Sequence, residues 1–165
     1  MQSQSRTKRI ALIGVLLALA FILSYLDSLI PVAGIPGFKL GLANIAILVT
    51  LYTFGGGMAA ALSAVRILLV SFTFGNLAAL AYSAAGAALS LFVMAVLKKT
   101  GKFSTVGVSL AGAAAHNLGQ IIVAVLVLGK AILYYFPVLL VTSVVTGAVI
   151  GLLGGAVCKR LENYR

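Results

Sequence analysis

Three polar side chains stand close together inside a long apolar stretch of the sequence. His116, Asn117 and Gln120 lie within the run from Val106 to Leu128, which otherwise holds mostly aliphatic and small residues. Residues three and four positions apart share one face of a helix, so we predict that these three side chains share a face. Polar groups at membrane depth are costly unless they find partners or line a wet cavity. The pattern indicates a ligand cavity or, for Asn117 and Gln120, hydrogen bonds between helices.

Arg66 is the second candidate for chemistry, because it lies near the centre of another apolar run, 58–74. A cation at the bilayer centre costs about 2.5–3.5 kcal/mol on an insertion scale, so it should face the interior of a helix bundle. The chain has two acidic residues. Glu162 lies in the C-terminal tail, and Asp27 could pair with Lys39 instead. Arg66 is therefore either a structural residue held by carbonyl and Asn groups, or a residue that binds an anionic ligand.

Further polar residues could converge with Arg66 on one cavity open to the outside. Lys39 begins an apolar run, where an interfacial anchor is an equally good interpretation of its position. Arg and Lys bind phosphate and carboxylate, and His can donate, accept or titrate, so such a pocket suits an anion. The predicted substrate-binding residues are Lys39, Asn44, Arg66, Asn76, Tyr82, His116, Asn117 and Gln120.

The composition indicates a membrane protein. The 165 residues are 62% hydrophobic and 8% charged, whereas a soluble domain carries about 25% charged residues. Six apolar runs are each close to the roughly 20 residues that cross a bilayer. We predict one all-α integral membrane domain over residues 1–165, a single bundle of six transmembrane helices at 10–26, 37–54, 58–74, 77–97, 106–128 and 131–157. Pro137 is predicted to begin the regular helix of the last span.

The basic residues predict the orientation. The formal net charge of +10 falls mostly between the apolar runs, which indicates membrane topology and not nucleic-acid binding. With the N and C termini in the cytoplasm, nine of the twelve Lys and Arg residues lie on the inner side. These nine are Arg6, Lys8, Arg9, Lys98, Lys99, Lys102, Lys159, Arg160 and Arg165.

Two segments near the N-terminus have features of moving or docking parts. The first outer connection, 27–37, holds two prolines and several apolar residues, so we predict a lid over the cavity. Its predicted lid residues are Asp27, Pro31, Gly34 and Pro36. The first span carries small residues at Ala11, Gly14 and Ala18, which favour close helix packing, either within the bundle or against a partner subunit.

The sequence lacks the residues that most catalytic sites need. It has two acidic residues, one His and one Cys, and no Walker-type glycine loop. Metal-dependent phosphoryl or prenyl chemistry depends on clustered carboxylates. We therefore predict that the protein is not an enzyme and holds no metal and no cofactor. Energy for any transport would come from a partner that hydrolyses a nucleotide.

The segments 39–44 and 115–120, together with Arg66, resemble the bacterial membrane family called Gx transporters, whose members are also labelled heptaprenyl diphosphate synthase component I. The resemblance extends over nearly the whole chain, and the two motifs are specific in combination. The family is similar to the S components of energy-coupling factor transporters. Those are six-helix proteins that bind vitamins or their precursors from the outside.

The resemblance implies a protein of the bacterial cytoplasmic membrane that captures a small anionic solute, such as a vitamin, a flavin, or a quinone or isoprenoid precursor. It implies that the first outer loop closes the pocket. It also implies that the first helix docks through Gly14 and Ala18 on a transmembrane coupling subunit, with two cytoplasmic ATPases supplying energy. The synthase label implies an alternative, a non-catalytic accessory subunit of a prenyl diphosphate synthase or of a flavin/quinone extracellular electron-transfer system.

Overall fold

Helices account for nearly all of the chain that the computed structural model describes, which is residues 2–30 and 39–162, with side chains over 6–30 and 39–161. There are six α-helices and one 3₁₀ helix in these ranges. They are α1 (Gln2–Leu29), α2 (Asn44–Phe54), α3 (Gly56–Thr73), α4 (Leu77–Thr100), α5 (Thr105–Leu128), the 3₁₀ helix (Lys130–Tyr135) and α6 (Phe136–Glu162). The all-α prediction is confirmed for this part of the chain.

Five helical segments are long and apolar enough to cross a membrane. They lie in α1, α3, α4, α5 and the 3₁₀ helix with α6, close to five of the six predicted spans. Large apolar side chains cover their outer faces, for example Phe72 at 83% exposed and Leu126 at 81%. So much exposed apolar surface is unfavourable in water and suits contact with lipid. The chain is therefore a multi-pass membrane protein.

The second predicted span, 37–54, is wrong as a membrane-crossing helix. Helix α2 has 11 residues, which is about 16 Å of helix against a hydrocarbon core of about 30 Å. Residues 39–43 precede it as non-helical backbone, and 37–38 lie outside the described residues. Irregular backbone at membrane depth is tolerated where it is buried in protein or lines a cavity. Lys39, which begins this segment, and Asn44, which begins α2, are both buried.

The ends of α1 and α6 bear on two further predictions. Helix α1 continues to Leu29, so Asp27 belongs to the helix and not to the predicted lid. The other predicted lid residues, Pro31, Gly34 and Pro36, lie outside the described residues. Helix α6 begins at Phe136, which confirms that the regular helix starts beside Pro137. A 3₁₀ helix precedes it where an interfacial segment was predicted.

Helix α2 lies at the core of the bundle. Seven of its 11 residues are buried, and it contacts α1, α3 and α6. The other helices contact one another in the order α1, α3, α4, α5, α6. Glycine allows the closest approach of α5 to α4, because a Cβ at Gly119 would lie 2.6 Å from the carbonyl oxygen of Ala85. This crossing fixes the side of α5 that faces α4.

Several helix ends meet at one end of the bundle. Lys98 Nζ donates a hydrogen bond to the carbonyl oxygen of Leu51 at 2.6 Å and lies 4.9 Å from the centre of the Tyr52 ring. The guanidinium carbon of Arg9 lies 5.5 Å from the centre of the Phe54 ring. The start of α1 and the ends of α2 and α4 are therefore neighbours, as a common inner side requires. That this end faces the cytoplasm stays a prediction.

Candidate ligand-binding site

A charged cluster lies inside the bundle, around Arg66 of α3. Arg66 is 4% exposed, and its Nη1 donates a hydrogen bond to Ser24 Oγ of α1 at 3.2 Å. Ser24 Oγ in turn donates to the carbonyl oxygen of Ala20 at 2.8 Å. The Nε and Nη2 atoms of Arg66 have no hydrogen-bond partner among the described residues. A buried guanidinium with two unsatisfied nitrogens is a ready binding group for an anion.

Asp27 is the acidic member of this cluster. It is 1% exposed, and its Oδ2 accepts hydrogen bonds from the backbone N–H groups of Gly41 at 3.1 Å and Leu42 at 2.8 Å. It interacts electrostatically with both Lys39 and Arg66. Asp27 Oδ1 has no hydrogen-bond partner among the described residues, and neither do Arg66 Nε and Nη2, so the expectation that Arg66 lacks a directly bound carboxylate stays a prediction. Because α1 remains helical through this region, Asp27 lies one turn beyond Ser24 on the same face.

The cluster keeps a positive balance. The cluster holds two cationic side chains, Lys39 and Arg66, and one acidic side chain, Asp27, so its balance is one net positive charge when these three are ionised and His116 is neutral. Lys39 lies before α2 and is 7% exposed. A small anion would reduce the repulsion between the two cations.

His116 and Gln120 face the same region from α5. Gly41, at φ +85°, turns the chain beside them, and a Cβ there would lie 2.9 Å from Asn44 Nδ2 and 3.7 Å from His116 Cδ2. On the α4 side, a Cβ at Gly86 would lie 3.0 Å from His116 Cε1 and 3.1 Å from Gln120 Cγ. His116 Nδ1 and both amide atoms of Gln120 have no hydrogen-bond partner in the described part of the chain. These groups could donate to or accept from a polar ligand.

Asn117 does not join the cluster, which corrects the prediction that it shares a face with His116 and Gln120. Its Nδ2 donates to the carbonyl oxygen of Leu139 at 2.8 Å and to Ser143 Oγ at 2.7 Å, both in α6. Successive helical residues point about 100° apart, so Asn117 faces α6 while its neighbour faces α4. Asn117 therefore joins two helices.

Two other predicted binding residues make contacts outside the cluster. Asn76 caps the start of α4, because its Oδ1 accepts a hydrogen bond from the Ala79 N–H at 2.7 Å. Tyr82 is buried in an apolar cluster with Ile121, Ala124, Ile132 and Leu139. Of the predicted residues, the structure brings Lys39, Arg66 and His116 within electrostatic range of one another. Asn44 lies with His116 beside Gly41, and Gln120 lies with His116 beside Gly86.

Three serines of this region were absent from the sequence-based prediction. Ser24 binds Arg66, and the buried hydroxyls of Ser63 and Ser90 have no partner among the described residues. The signal that could have found two of them is spacing, since Ser24 precedes Asp27 by three positions and Ser63 precedes Arg66 by three. No group of three or more His, Cys, Asp or Glu side chains that could hold a metal ion exists among the residues that the structure describes.

The small-residue face of α1 is left uncovered by the part of the chain that the structure describes. Ala11, Gly14 and Ala18 are all exposed. A Cβ at Gly14 would meet no atom of the described structure within 4 Å. Among the described residues this face has no packing partner, and both interpretations from the sequence stay predictions.

The helices and the cluster define a multi-pass membrane protein with a charged polar site inside its bundle. The chain belongs to the heptaprenyl diphosphate synthase component I family, whose sequence model matches residues 16–157. This confirms the family resemblance inferred from the sequence. No curated protein and no solved structure matches the chain.

Proposed function

We propose that the protein is the solute-binding subunit of an energy-coupling factor type transporter and that its ligand is a small anion taken from the outer side. The observation that carries this proposal is the buried Arg66, whose Nε and Nη2 have no partner among the described residues and which interacts with a second cation, Lys39. An anion in this position would form charge-assisted hydrogen bonds with the guanidinium. It would also offset the cost of burying an incompletely paired charge.

The remaining polar groups support a ligand with hydrogen-bonding atoms as well as charge. His116 Nδ1 and the amide of Gln120 are unsatisfied among the described residues and lie on the α4 side of α5. A vitamin, a flavin, or a quinone or isoprenoid precursor with a carboxylate or phosphate group meets both requirements. His116 would act as a hydrogen-bonding group there.

The exposed small face of α1 supports docking on another membrane protein. Close helix approach within membranes depends on such residues, here Ala11, Gly14 and Ala18. The partner in this proposal is a transmembrane coupling subunit that carries two cytoplasmic ATPases, in the bacterial cytoplasmic membrane. The protein itself performs no catalysis, since its full sequence has only two acidic residues with which to hold a catalytic metal.

Removal of the Arg66 charge tests the proposed binding role. Native mass spectrometry of the purified protein would first identify a co-purified small anion. Arg66→Gln is expected to weaken its binding by about 2–5 kcal/mol, because a desolvated charge pair is lost. Lys39→Gln should weaken it as well. Lys102→Gln is the control, because Lys102 is exposed. Unchanged affinity in both Arg66→Gln and Lys39→Gln, in folded protein, would show that these cations are structural.

A second candidate function follows from the name of the family. That name favours an accessory membrane subunit of a heptaprenyl diphosphate synthase. Affinity purification from the native membrane separates the two functions. Recovery of a soluble aspartate-rich synthase subunit without ATPases would support the second candidate. Recovery of a coupling protein with ATPases would support the first, and prenyl transfer by the purified chain alone would contradict the absence of catalysis.

A further inference from the structure

An apolar groove runs between α3 and α4, with a volume of about 410 Å³. Ala60, Ala64 and Leu68 line it from α3, and Ala84, Ala88 and Leu91 line it from α4. The four alanines are exposed, so the groove opens to the outer surface of the bundle, where lipid lies. A volume of this size lies within the range of about 300–1,000 Å³ typical of ligand pockets.

On both α3 and α4, residues that line the groove lie next to residues of the charged cluster or residues packed against it. On α3, Ser63 lines the groove, is 4% exposed and has an Oγ atom without a partner among the described residues. Arg66 follows Ser63 by three positions and therefore lies one turn further along the same side of the helix. On α4, Ala87 lines the groove, and its neighbour Gly86 lies against His116. On both helices, residues that line the groove are therefore neighbours along the chain of residues in or against the cluster.

We propose that the groove holds the hydrocarbon tail of an amphiphilic ligand whose anionic head lies in the charged cluster. This proposal rests on the proposed anion-binding function and specifies its substrate class. The ligand is a phosphate or carboxylate with one hydrocarbon chain, and it enters sideways from the bilayer.

A helix of a partner protein is the competing occupant. Alanines four positions apart, Ala60 with Ala64 and Ala84 with Ala88, would also allow a helix to approach closely. A helix in the groove would leave the unsatisfied nitrogens of Arg66 without an anion. A ligand with a head and a tail accounts for both the apolar groove and the adjacent cations, and for this reason we favour it.

Two alkyl phosphates that differ in chain length test binding of the anionic head and of the hydrocarbon tail separately. The protein is placed in phosphatidylcholine nanodiscs, and ethyl phosphate binding is measured by calorimetry. Dodecyl phosphate with a diazirine on its last carbon is cross-linked by light, and the labelled residues are mapped by mass spectrometry. Ala64→Leu fills the groove, and Ala61→Leu is the matched control, since Ala61 is exposed on the same helix and does not line the groove.

We expect dodecyl phosphate to label groove residues of α3 and α4. Ala64→Leu should reduce this labelling at least tenfold while ethyl phosphate still binds. Ala61→Leu should change neither signal, and Arg66→Gln should reduce both. Thermal unfolding of each variant in the nanodisc verifies that it is folded.

Three results would overturn the proposal. Labels spread over the whole lipid-facing surface and unaffected by Ala64→Leu, with ethyl phosphate bound normally, would exclude the tail site but leave the proposed function intact. Absence of ethyl phosphate binding, or binding independent of Arg66, would contradict the anion site itself. Disulfide cross-linking of an Ala64→Cys variant to a partner's helix in native membranes would assign the groove to protein docking.

Discussion

Asp27 binds two backbone N–H groups that precede a helix and have no helical partner of their own. Its Oδ2 accepts from Gly41 and Leu42, just before α2 begins at Asn44. Unsatisfied N–H groups at a helix start require a partner when they are buried. Asp27 thus acts as a cap supplied by another helix. Through these bonds it fixes the segment that carries Lys39 to α1, the helix whose Ser24 binds Arg66.

Loss of the Asp27 charge should destabilise the protein. Asp27→Asn is expected to lower the free energy of unfolding by about 1.5–3 kcal/mol, the range for hydrogen bonds to a charged group. The measurement is unfolding in mixed micelles with increasing denaturing detergent. Ser28→Ala provides the control at the adjacent exposed position and should change stability by less than about 0.5 kcal/mol. Equal stability of the two variants would show that the cap contributes little.

The position of His116 depends on how closely α4 and α5 approach. A Cβ at Gly119 would lie 2.6 Å from the carbonyl oxygen of Ala85 and 2.8 Å from the Cα of Gly86, both backbone atoms. Backbone atoms cannot move aside as a flexible side chain can, so a larger residue must push the helices apart. The α4–α5 crossing thus sets the position of His116 and Gln120.

A pair of glycine substitutions tests this close approach. Gly119→Ala should destabilise the bundle by about 1–3 kcal/mol, the usual cost of overpacking. Gly14→Ala is the control, because a Cβ at that helical position meets nothing within 4 Å, and it should be neutral or stabilising by up to about 1 kcal/mol. Both are measured by the same unfolding method. A neutral Gly119→Ala variant would mean that the helices separate without cost.

Charge and helix ends together predict the orientation of the whole molecule in the membrane. The start of α1 and the ends of α2 and α4 meet at one end of the bundle, where Arg9 and Lys98 lie. Positively charged segments of this length remain on the cytoplasmic side. We therefore expect the opposite end, with Lys130 after α5, to face outward.

Cysteine labelling in intact cells checks this orientation. In a Cys158→Ala background, Lys130→Cys should react with a membrane-impermeant maleimide, and Lys99→Cys should react only after the cells are opened. Both residues are exposed on the protein, so a difference in their labelling reports on which side of the membrane each one lies. The reverse labelling pattern would invert the proposed topology and place the cluster near the cytoplasmic side.

Much of the fold follows from local properties of the chain. An α-helix satisfies its backbone hydrogen bonds within one segment, and a bilayer requires about 20 apolar residues to be crossed. Run length alone was therefore sufficient to predict five spans, all within a few residues of the helices found. The cations Arg66 and Lys39 were recognisable for the same reason, since charge at membrane depth is costly wherever it occurs.

The tertiary structure decided the features that depend on contacts between residues far apart in the sequence. The second apolar run forms only a short helix, α2, and the N–H groups before it bind Asp27, which is 14 and 15 positions away from Gly41 and Leu42. Asn117 differs in role from His116 because its hydrogen-bond partners lie on α6. The sequence by itself determined which segments enter the membrane and which polar residues enter with them. Only helix packing decided which of those residues meet. Their hydrogen bonds and charge interactions join different helices, and the hydropathy of a segment does not show which other helices it packs against.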